Sequence, residues 1–364
     1  MFVHKNLAEL LKVCSVLPVL AVMPAMADMP TPVNNTVSGA NVSGNTSGGY
    51  NLKSLNTDLT IQNSVFTNNS SSGNGTVAWA TARHDLEVKK SEFTGNVAAG
   101  IAGAIGGGTE AGMVTVSGSK FTNNHAVYDG GAIAAYAGLS ISDSVFDGNT
   151  AQYDANDKGE YNVPVVDSKP IGGGALALGA VSNTTIAAID STTFKNNVSG
   201  TNGGAIATRL AQNSDGSKNS NTAKLDIAAT FENNSALKSG GAIYNTFYSD
   251  NGMGKGNGVT VTGVFKNNTA GDKGGAIYND GTLDKNSKGG VMTITDATFS
   301  ENTAASAGAI YNTGALNIIG ATFENNSAKS SAGAIQNSGE NSLIYVEDTE
   351  FIGNKSGGSF GAMV

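Results

Sequence analysis

Residues able to do chemistry are scarce in this chain. Beyond residue 27 it has two arginines, Arg83 and Arg209, and two histidines, His84 and His125. Arg83-His84-Asp85 is the one compact polar trio, but adjacent residues on a strand face opposite ways and do not converge on one substrate atom. Cleavage of a polysaccharide calls for clustered carboxylates, often with calcium or a basic residue. Tyr128-Asp129 and Asp272-Lys273 each precede a glycine pair and read as solvent-exposed turns. Asp154-x-Asn156-x-Lys158-Gly159 and Asp284-x-Asn286-x-Lys288-Gly289 mimic the start of an EF-hand loop. Both put Lys at the fifth position and lack the acidic twelfth, where Val165 and Thr295 fall, so ordinary acidic loops explain them better. No catalytic, cofactor-binding or metal-ligating residue is assigned, and no cofactor is expected.

Composition narrows the field further. The chain has 364 residues, 49 of them Gly, a net charge of −8 and 14% charged residues. A weakly charged, acidic chain without Lys/Arg clusters argues against a nucleic-acid partner. Its 39% hydrophobic content is too high and too regularly spaced for a disordered chain. No stretch after residue 30 approaches eighteen apolar residues, which argues against a helical membrane span in the mature chain.

Residues 1–27 read as an export signal. Lys5 and Lys12 precede an apolar run from Val13 to Met23, and Ala25-Met26-Ala27 before Asp28 supplies the small-x-small cleavage pattern. Cys14, the single cysteine, lies inside this segment and outside a lipid-attachment context. A chain cleaved between Ala27 and Asp28 has no cysteine, so packing and hydrogen bonding must hold it without disulfides.

The positioning elements are repeats. Phe-x-x-Asn recurs ten times, at Phe66/Asn69, Phe93/Asn96, Phe121/Asn124, Phe146/Asn149, Phe194/Asn197, Phe231/Asn234, Phe265/Asn268, Phe299/Asn302, Phe323/Asn326 and Phe351/Asn354. A G-A-[IL] segment follows, centred on Ala104, Ala132, Ala175, Ala205, Ala242, Ala276, Ala309 and Ala334, with a variant at Gly361-Ala362-Met363. A unit of about two dozen residues repeated this way is the signature of a solenoid. Short alternating stretches such as Leu86-Glu87-Val88 and Val259-Thr260-Val261 precede most of the Phe positions and read as strands with one buried face.

Inside Phe-x-x-Asn, the position two after Phe is Asn, Gly or, once, Glu301. Asn and Gly share tolerance of positive φ, so a tight left-handed turn is predicted there, and a different turn at Glu301. The Asn that follows never varies. Stacked at a coil spacing of about 4.8 Å, its amide can donate and accept along the stack. In G-A-I, alternation points Gly and Ile to one face and Ala and the next residue to the other. With Ile inward, the Gly is expected to make room for the Phe stack.

The prediction is an all-β fold, a parallel β-helix of about ten coils over 59–364, right-handed by analogy with known folds of this kind. Residues 28–58 lack Phe-x-x-Asn and read as a leader or loose N-terminal cap. Insertions at 210–222, 247–257 and 280–289 all leave after the G-A-I strand and should share one edge; the largest, 152–171, leaves before it. Tyr248, Asp250, Asp280 and Asp284, in or beside those loops, are the candidate binding residues.

Repeated Phe-x-x-Asn with G-G-A-I on an exported chain resembles the repeats of the chlamydial polymorphic outer-membrane proteins and related autotransporter passengers. The resemblance covers 59–364 and implies a surface-exposed β-helix adhesin, secreted through export machinery and an outer-membrane barrel. This sequence stops at Val364 without barrel segments of ten alternating residues, so the expectation is either a truncated or fragmentary passenger or one displayed by another partner. A host-cell or matrix surface is the partner so implied, with no nucleic acid. The alternatives are a polysaccharide lyase or hydrolase on the same fold, or a truncated passenger without a function of its own.

Overall fold

The computed structural model describes residues 28–108, 110–152, 172–180, 184–210, 222–246, 258–279, 291–340, 342–358 and 360–364. Every strand in it pairs in parallel with the strand one coil away. One sheet has eighteen strands, contributed by the two segments that flank the bend before each Phe, and two further sheets have ten strands each. The chain visits them in a fixed order. In the coil around Phe265 it runs through Gly258–Lys266, Thr269–Ala270 and Ile277–Asn279. This is a parallel β-helix of about ten coils, with one continuous core enclosed by the three sheets.

Register follows the repeat. Phe231 lies beside Phe265, and Phe265 beside Phe299. Phe66 through Phe323 are buried, Phe351 is half-buried, and neighbouring rings stack with centroids 4.7 to 5.3 Å apart. That spacing equals the distance between hydrogen-bonded strands, so one ring per coil fills its layer without a gap. Each buried Phe contributes roughly 1.5–3 kcal/mol by leaving water.

The Asn stack is fully bonded. Asn268 Nδ2 donates to Asn302 Oδ1 (3.0 Å) and to the carbonyl of Phe231 (3.0 Å), and the Asn268 backbone N–H donates to the same Asn302 Oδ1 (2.9 Å). The pattern repeats from Asn69 to Asn326. Along the row, Asn96 Nδ2 donates to Asn124 Oδ1 (2.8 Å), Asn124 to Asn149 (3.0 Å) and Asn149 to Asn197 (3.0 Å). Asn197 then donates to Asn234 (2.9 Å), and Asn234 to Asn268 (2.9 Å).

An exchange between amides alone, as expected from the sequence, is therefore incomplete. The second amide proton leaves the row: those of Asn96, Asn124, Asn149, Asn197 and Asn234 go to the carbonyls of Phe66, Phe93, Phe121, Phe146 and Phe194, each one coil back. Each oxygen in turn accepts twice, from the side chain and the backbone of one neighbour, as Asn124 Oδ1 does from Asn96. The physical reason is satisfaction: a fully buried amide with two protons needs a second acceptor, and the Phe carbonyl supplies it.

All ten residues preceding the ladder Asn have positive φ, between 51° at Asn68 and 67° at Gly148. Glu301 adopts φ 58° like the rest, and Asn302 makes the full set of bonds, so the different turn expected there does not form. The missing residue is absorbed downstream instead, where Ser306 pairs with Lys273 and Ala307 takes the left-handed φ of Gly274.

The glycine of G-A-I has another role than the one expected. A Cβ at Gly241 would fall 2.0 Å from the Gly275 carbonyl oxygen and 2.7 Å from the Thr269 nitrogen, and Gly204, Gly275 and Gly308 are alike. Backbone of the next coil, not the Phe stack, requires the missing side chain. The alanine also differs from expectation: Ala242 and its counterparts are buried in the same core as Ile243. They sit at the corner before the strand, where alternation has not begun, and both Ala242 N and Ile243 N donate to the Ala276 carbonyl at 2.9 Å.

Residues 28–58 carry a coil of their own. Thr36–Ser38 and Asn41–Ser43 pair with Leu59–Gln62 and Val65–Thr67, putting Val42 beneath Phe66. The Asn45 backbone N–H donates to Asn69 Oδ1 at 2.9 Å. Val42-x-x-Asn45, with Gly44 at φ 71°, is thus a coil in which Val replaces Phe. Tyr50 packs beneath Ala78 and donates to the Pro30 carbonyl (2.7 Å); burial pushes its phenol up to about 12.

Candidate functional site

The corner that follows each G-A-I strand carries the loops. Ile206–Leu210, Ile243–Asn245 and Ile277–Asn279 lie side by side in one ten-stranded sheet. The next described strands begin at Thr222, Gly258 and Val291, so three successive coils are interrupted at the same corner. Tyr248, Asp250, Asp280 and Asp284 fall outside the described residues, as do both EF-hand-like segments, Ala27 and the body of the 152–171 insertion.

A second amide ladder underlies this corner. Asn245 Nδ2 donates to Asn279 Oδ1 (2.8 Å), Asn279 to Asn312 (2.7 Å), and Asn312 to Asn337 (2.7 Å). Thr208 opens the row, donating to Asn245 Oδ1 (3.1 Å) and accepting from Thr246 N (2.8 Å). Asn312 Oδ1 accepts from Gly314 N (3.2 Å) and Asn312 Nδ2 donates to the Gly314 carbonyl (2.8 Å), which ties down the residues that leave the strand. Sequence reasoning missed this ladder, although G-A-I-Y-N stands three times in the chain with the Asn three residues after the Ala.

Outward from the same strands, Tyr244, Tyr278 and Tyr311 stack at centroid distances of 5.2 and 5.4 Å. Lys273 Nζ lies 4.8 Å from the Tyr311 ring centroid, a cation–π contact from the preceding coil. The loop bases therefore rest on a rigid inner row of amides and an outer row of aromatic rings.

Elsewhere, polar residues singled out in the sequence serve the backbone. The Phe-x-x-Asn row is enclosed: Asn96, Asn124, Asn149, Asn197 and Asn234 are fully buried, so they shape the rod and meet no ligand. Asp85 Oδ1 accepts from Met113 N (2.7 Å), Asp85 N donates to Asp58 Oδ1 (2.9 Å), and His84 Nδ1 lies 3.4 Å from Asp58 Oδ1. Arg83 sits at φ 65°, in a left-handed turn. These groups close a bend between coils and do not converge.

Asp272 is exposed as expected, whereas Tyr128 and Asp129 are buried, correcting the reading of a solvated turn. Asp129 Oδ1 accepts from Gly172 N (2.9 Å), and Tyr136 O–H donates to Asp129 Oδ2 (3.4 Å). Tyr128 and Tyr136 belong, with Ile101 and Ala134, to a second apolar cluster separate from the main core, and that cover is what the sequence could not reveal. His125 Nδ1 lies 2.7 Å from Thr150 Oγ1, and burial lowers the imidazole pKa. Among the described residues no three His, Cys, Asp or Glu side chains are grouped to hold a metal.

A profile of the Chlamydia polymorphic membrane protein repeat matches residues 118–136, 191–209, 228–246, 262–280 and 296–313. The chain carries five of these polymorphic membrane protein repeats. No curated protein and no solved structure matches the chain. Each matched repeat runs from the bend before Phe-x-x-Asn to the end of the G-A-I strand. Three of them stop at 209, 246 and 280, where the three loops begin. The three loops thus lie between matched repeats, and Asn124, Asn197, Asn234, Asn268 and Asn302 of the first ladder and Thr208, Asn245, Asn279 and Asn312 of the second lie within them.

Proposed function

We propose that this protein is an exported, non-enzymatic surface protein of the autotransporter-passenger type, and that the loops at 210–222, 247–257 and 280–289 bind a host-cell or matrix surface. The observation that carries the reading is the anchoring of three successive loops at one corner, each following a repeat and each seated on the Thr208–Asn337 ladder. A row of loops fixed about 4.8 Å apart at their bases makes one joint surface, as solenoid binding faces do. Tyr248, Asp250, Asp280 and Asp284 give it an acidic edge with an aromatic neighbour. The repeat's name, that of membrane proteins, supports placement at the cell surface, and the export signal at 1–27 supports secretion through a barrel partner. The absence of an enzyme's role is supported by what the polar side chains do: Asp85, Asp129 and the ladder amides are engaged in backbone hydrogen bonds.

The test replaces 247–257 and 280–289 with short Gly-Ser turns in the displayed protein. Circular dichroism should be unchanged and attachment to cells or matrix should be lost. Undiminished attachment by a folded variant would overturn the reading.

A further inference from the structure

At the opposite end of the rod, a separate groove has the chemistry of a sugar site. Trp79, the only tryptophan, lies on the outward side of the strand Ala78–Ala80, between Asn51 in the coil below and Gly106 in the coil above. Its ring lies beside three glycines. A Cβ at Gly106 would fall 2.4 Å from the Ala134 carbonyl oxygen and 2.7 Å from Trp79 Cζ3, one at Gly75 2.6 Å from the Ala78 carbonyl oxygen and 3.1 Å from Cε3, and one at Gly108 would be in ordinary contact, 3.5 Å from Cζ2. Glycine at 106 lets the indole lie against the next coil, and its half-exposed remainder lines a groove of about 420 Å³. That volume is within the ~300–1,000 Å³ range of small-molecule clefts.

The other groove walls are hydroxyls, carboxamides and glycine backbone, including Ser47, Asn51, Ser71, Ser72 and Asn74. Among the described residues lining it, none is charged. Two of the carboxamides are already oriented. Asn51 Oδ1 accepts from Lys53 N (3.1 Å) and Ser54 N (3.3 Å), and Asn74 Oδ1 accepts from Ile101 N (3.1 Å). With the oxygens held, the NH₂ end of each is left to donate to a ligand oxygen.

We propose that this groove binds a neutral pyranose, its apolar C–H face against the Trp79 indole and its hydroxyls on Asn51, Asn74 and Ser72. Each competing ligand class lacks a matching feature here. A phosphate or sulfated sugar would call for Arg or Lys, a cationic group for carboxylates near the ring, and an aliphatic chain for an apolar wall. A flat aromatic surface beside fixed amide donors and hydroxyls suits a ring that is apolar on one face and polar at its rim.

Because Trp79 is the sole tryptophan, its emission reports this groove alone, and the outcome is independent of the cell-attachment assay. The full chain is titrated with D-glucose, D-galactose and N-acetyl-D-glucosamine. At least one should shift the emission saturably, with Kd on the order of 1 mM, the weak range of a single small ring. Ser72→Ala and Asn74→Ala should weaken that Kd by about five-fold or more. In Trp79→Ala, checked for fold by circular dichroism, saturation-transfer NMR signals from the same sugar should disappear. No saturable response to any of the three sugars, a response to heparin alone, or an undiminished NMR signal in folded Trp79→Ala would overturn the proposal.

Discussion

The coils before Phe194 and those after it share the Phe and Asn stacks, yet they place their third polar row at different corners. In the earlier coils the row sits in the bend before each Phe. Ser64 N donates to Ser91 Oγ (3.2 Å), Ser91 N to Ser119 Oγ (3.1 Å) and Ser119 N to Ser144 Oγ (3.2 Å), and each hydroxyl donates to the carbonyl two residues before it. After Thr192 that place is taken by Ala229, Gly263, Ala297 and Ala321, and the last coil returns to a hydroxyl at Thr349, which accepts from Ala321 N (3.4 Å) and donates to the Glu347 carbonyl (2.8 Å). The G-A-I corner changes the opposite way: Ala80, Gly107, Ala135 and Leu178 give way to Thr208, Asn245, Asn279, Asn312 and Asn337. The coil containing Thr192 and Thr208 carries both.

The amide row begins at the coils that carry the three loops and runs on past them through Asn312 and Asn337. In the earlier coils the G-A-I corner closes over apolar residues, and a hydroxyl row satisfies the N–H groups of the bend. Where the 247–257 loop leaves, the corner must hold diverging chain ends, and Thr208 does so by accepting from Thr246 N; Asn312 holds Gly314 in the same way in a coil without an insertion. A side chain able to donate and accept at once is what a repeated, buried corner requires. The lesson is that the Phe and Asn rows hold the whole rod, while a third polar row can move from one corner to another along it.

The largest expected effect tests what the halves share. Phe121→Ala and Phe265→Ala should each cost about 3–5 kcal/mol in chemical denaturation, because each opens a gap in a continuous ring stack. A large difference between them would break the claim of one common core. Next, Asn279→Ala should cost about 1–3 kcal/mol, since it strands the amides of Asn245 and Asn312, whereas Asn257→Ala, in a loop, should cost little. Ala135→Asn, which copies the later corner into an earlier coil without ladder neighbours, should also destabilise by about 1–3 kcal/mol. If it is neutral, the corner identity is not dictated by stacking.

A smaller effect is expected from Ser119→Ala, about 1 kcal/mol, because it removes the acceptor for Ser91 N; Ala297→Ser in the later coils should change stability less. The smallest is a pH effect confined to the earlier coils. Burial lowers the His125 imidazole pKa, so the folded state resists its protonation. Its contribution is fully present above the ordinary value near 6.5 and declines as pH falls through that value toward the lowered one. Denaturant midpoints measured between about pH 7.5 and 5 should fall for the native chain and fall less for His125→Gln.

The sequence made the shared rows legible because one residue type recurs at fixed spacing: Phe66 to Phe351 and Asn69 to Asn354 need no structure to be seen. The Phe carbonyls that take the second proton of Asn96 through Asn234 were not legible, because a backbone acceptor one coil away has no residue type of its own. The exchanged rows were hidden because their residue types change midway, from Ser to Ala in one and from Ala to Asn in the other. Gly241 was misread for a related reason: its close neighbour, Gly275, is in the next coil, and contact between coils leaves no local signal. Asp129 carries the composition of a turn, yet it is buried by residues far from it in sequence, among them Gly172. Glu301 shows that position can override propensity, since stacking against neighbours holds its φ at 58°.

Native-state hydrogen exchange of backbone amides tests most directly whether the loop bases are part of the rigid rod. Thr246 N, at the base of the 247–257 loop, donates to Thr208 Oγ1, and Gly314 N, at the same corner of a coil without an insertion, donates to Asn312 Oδ1, so both should exchange only through global unfolding, as slowly as Asn268 N inside the ladder. Exchange at Thr246 orders of magnitude faster than at Asn268, at the rate of an open loop, would contradict the account.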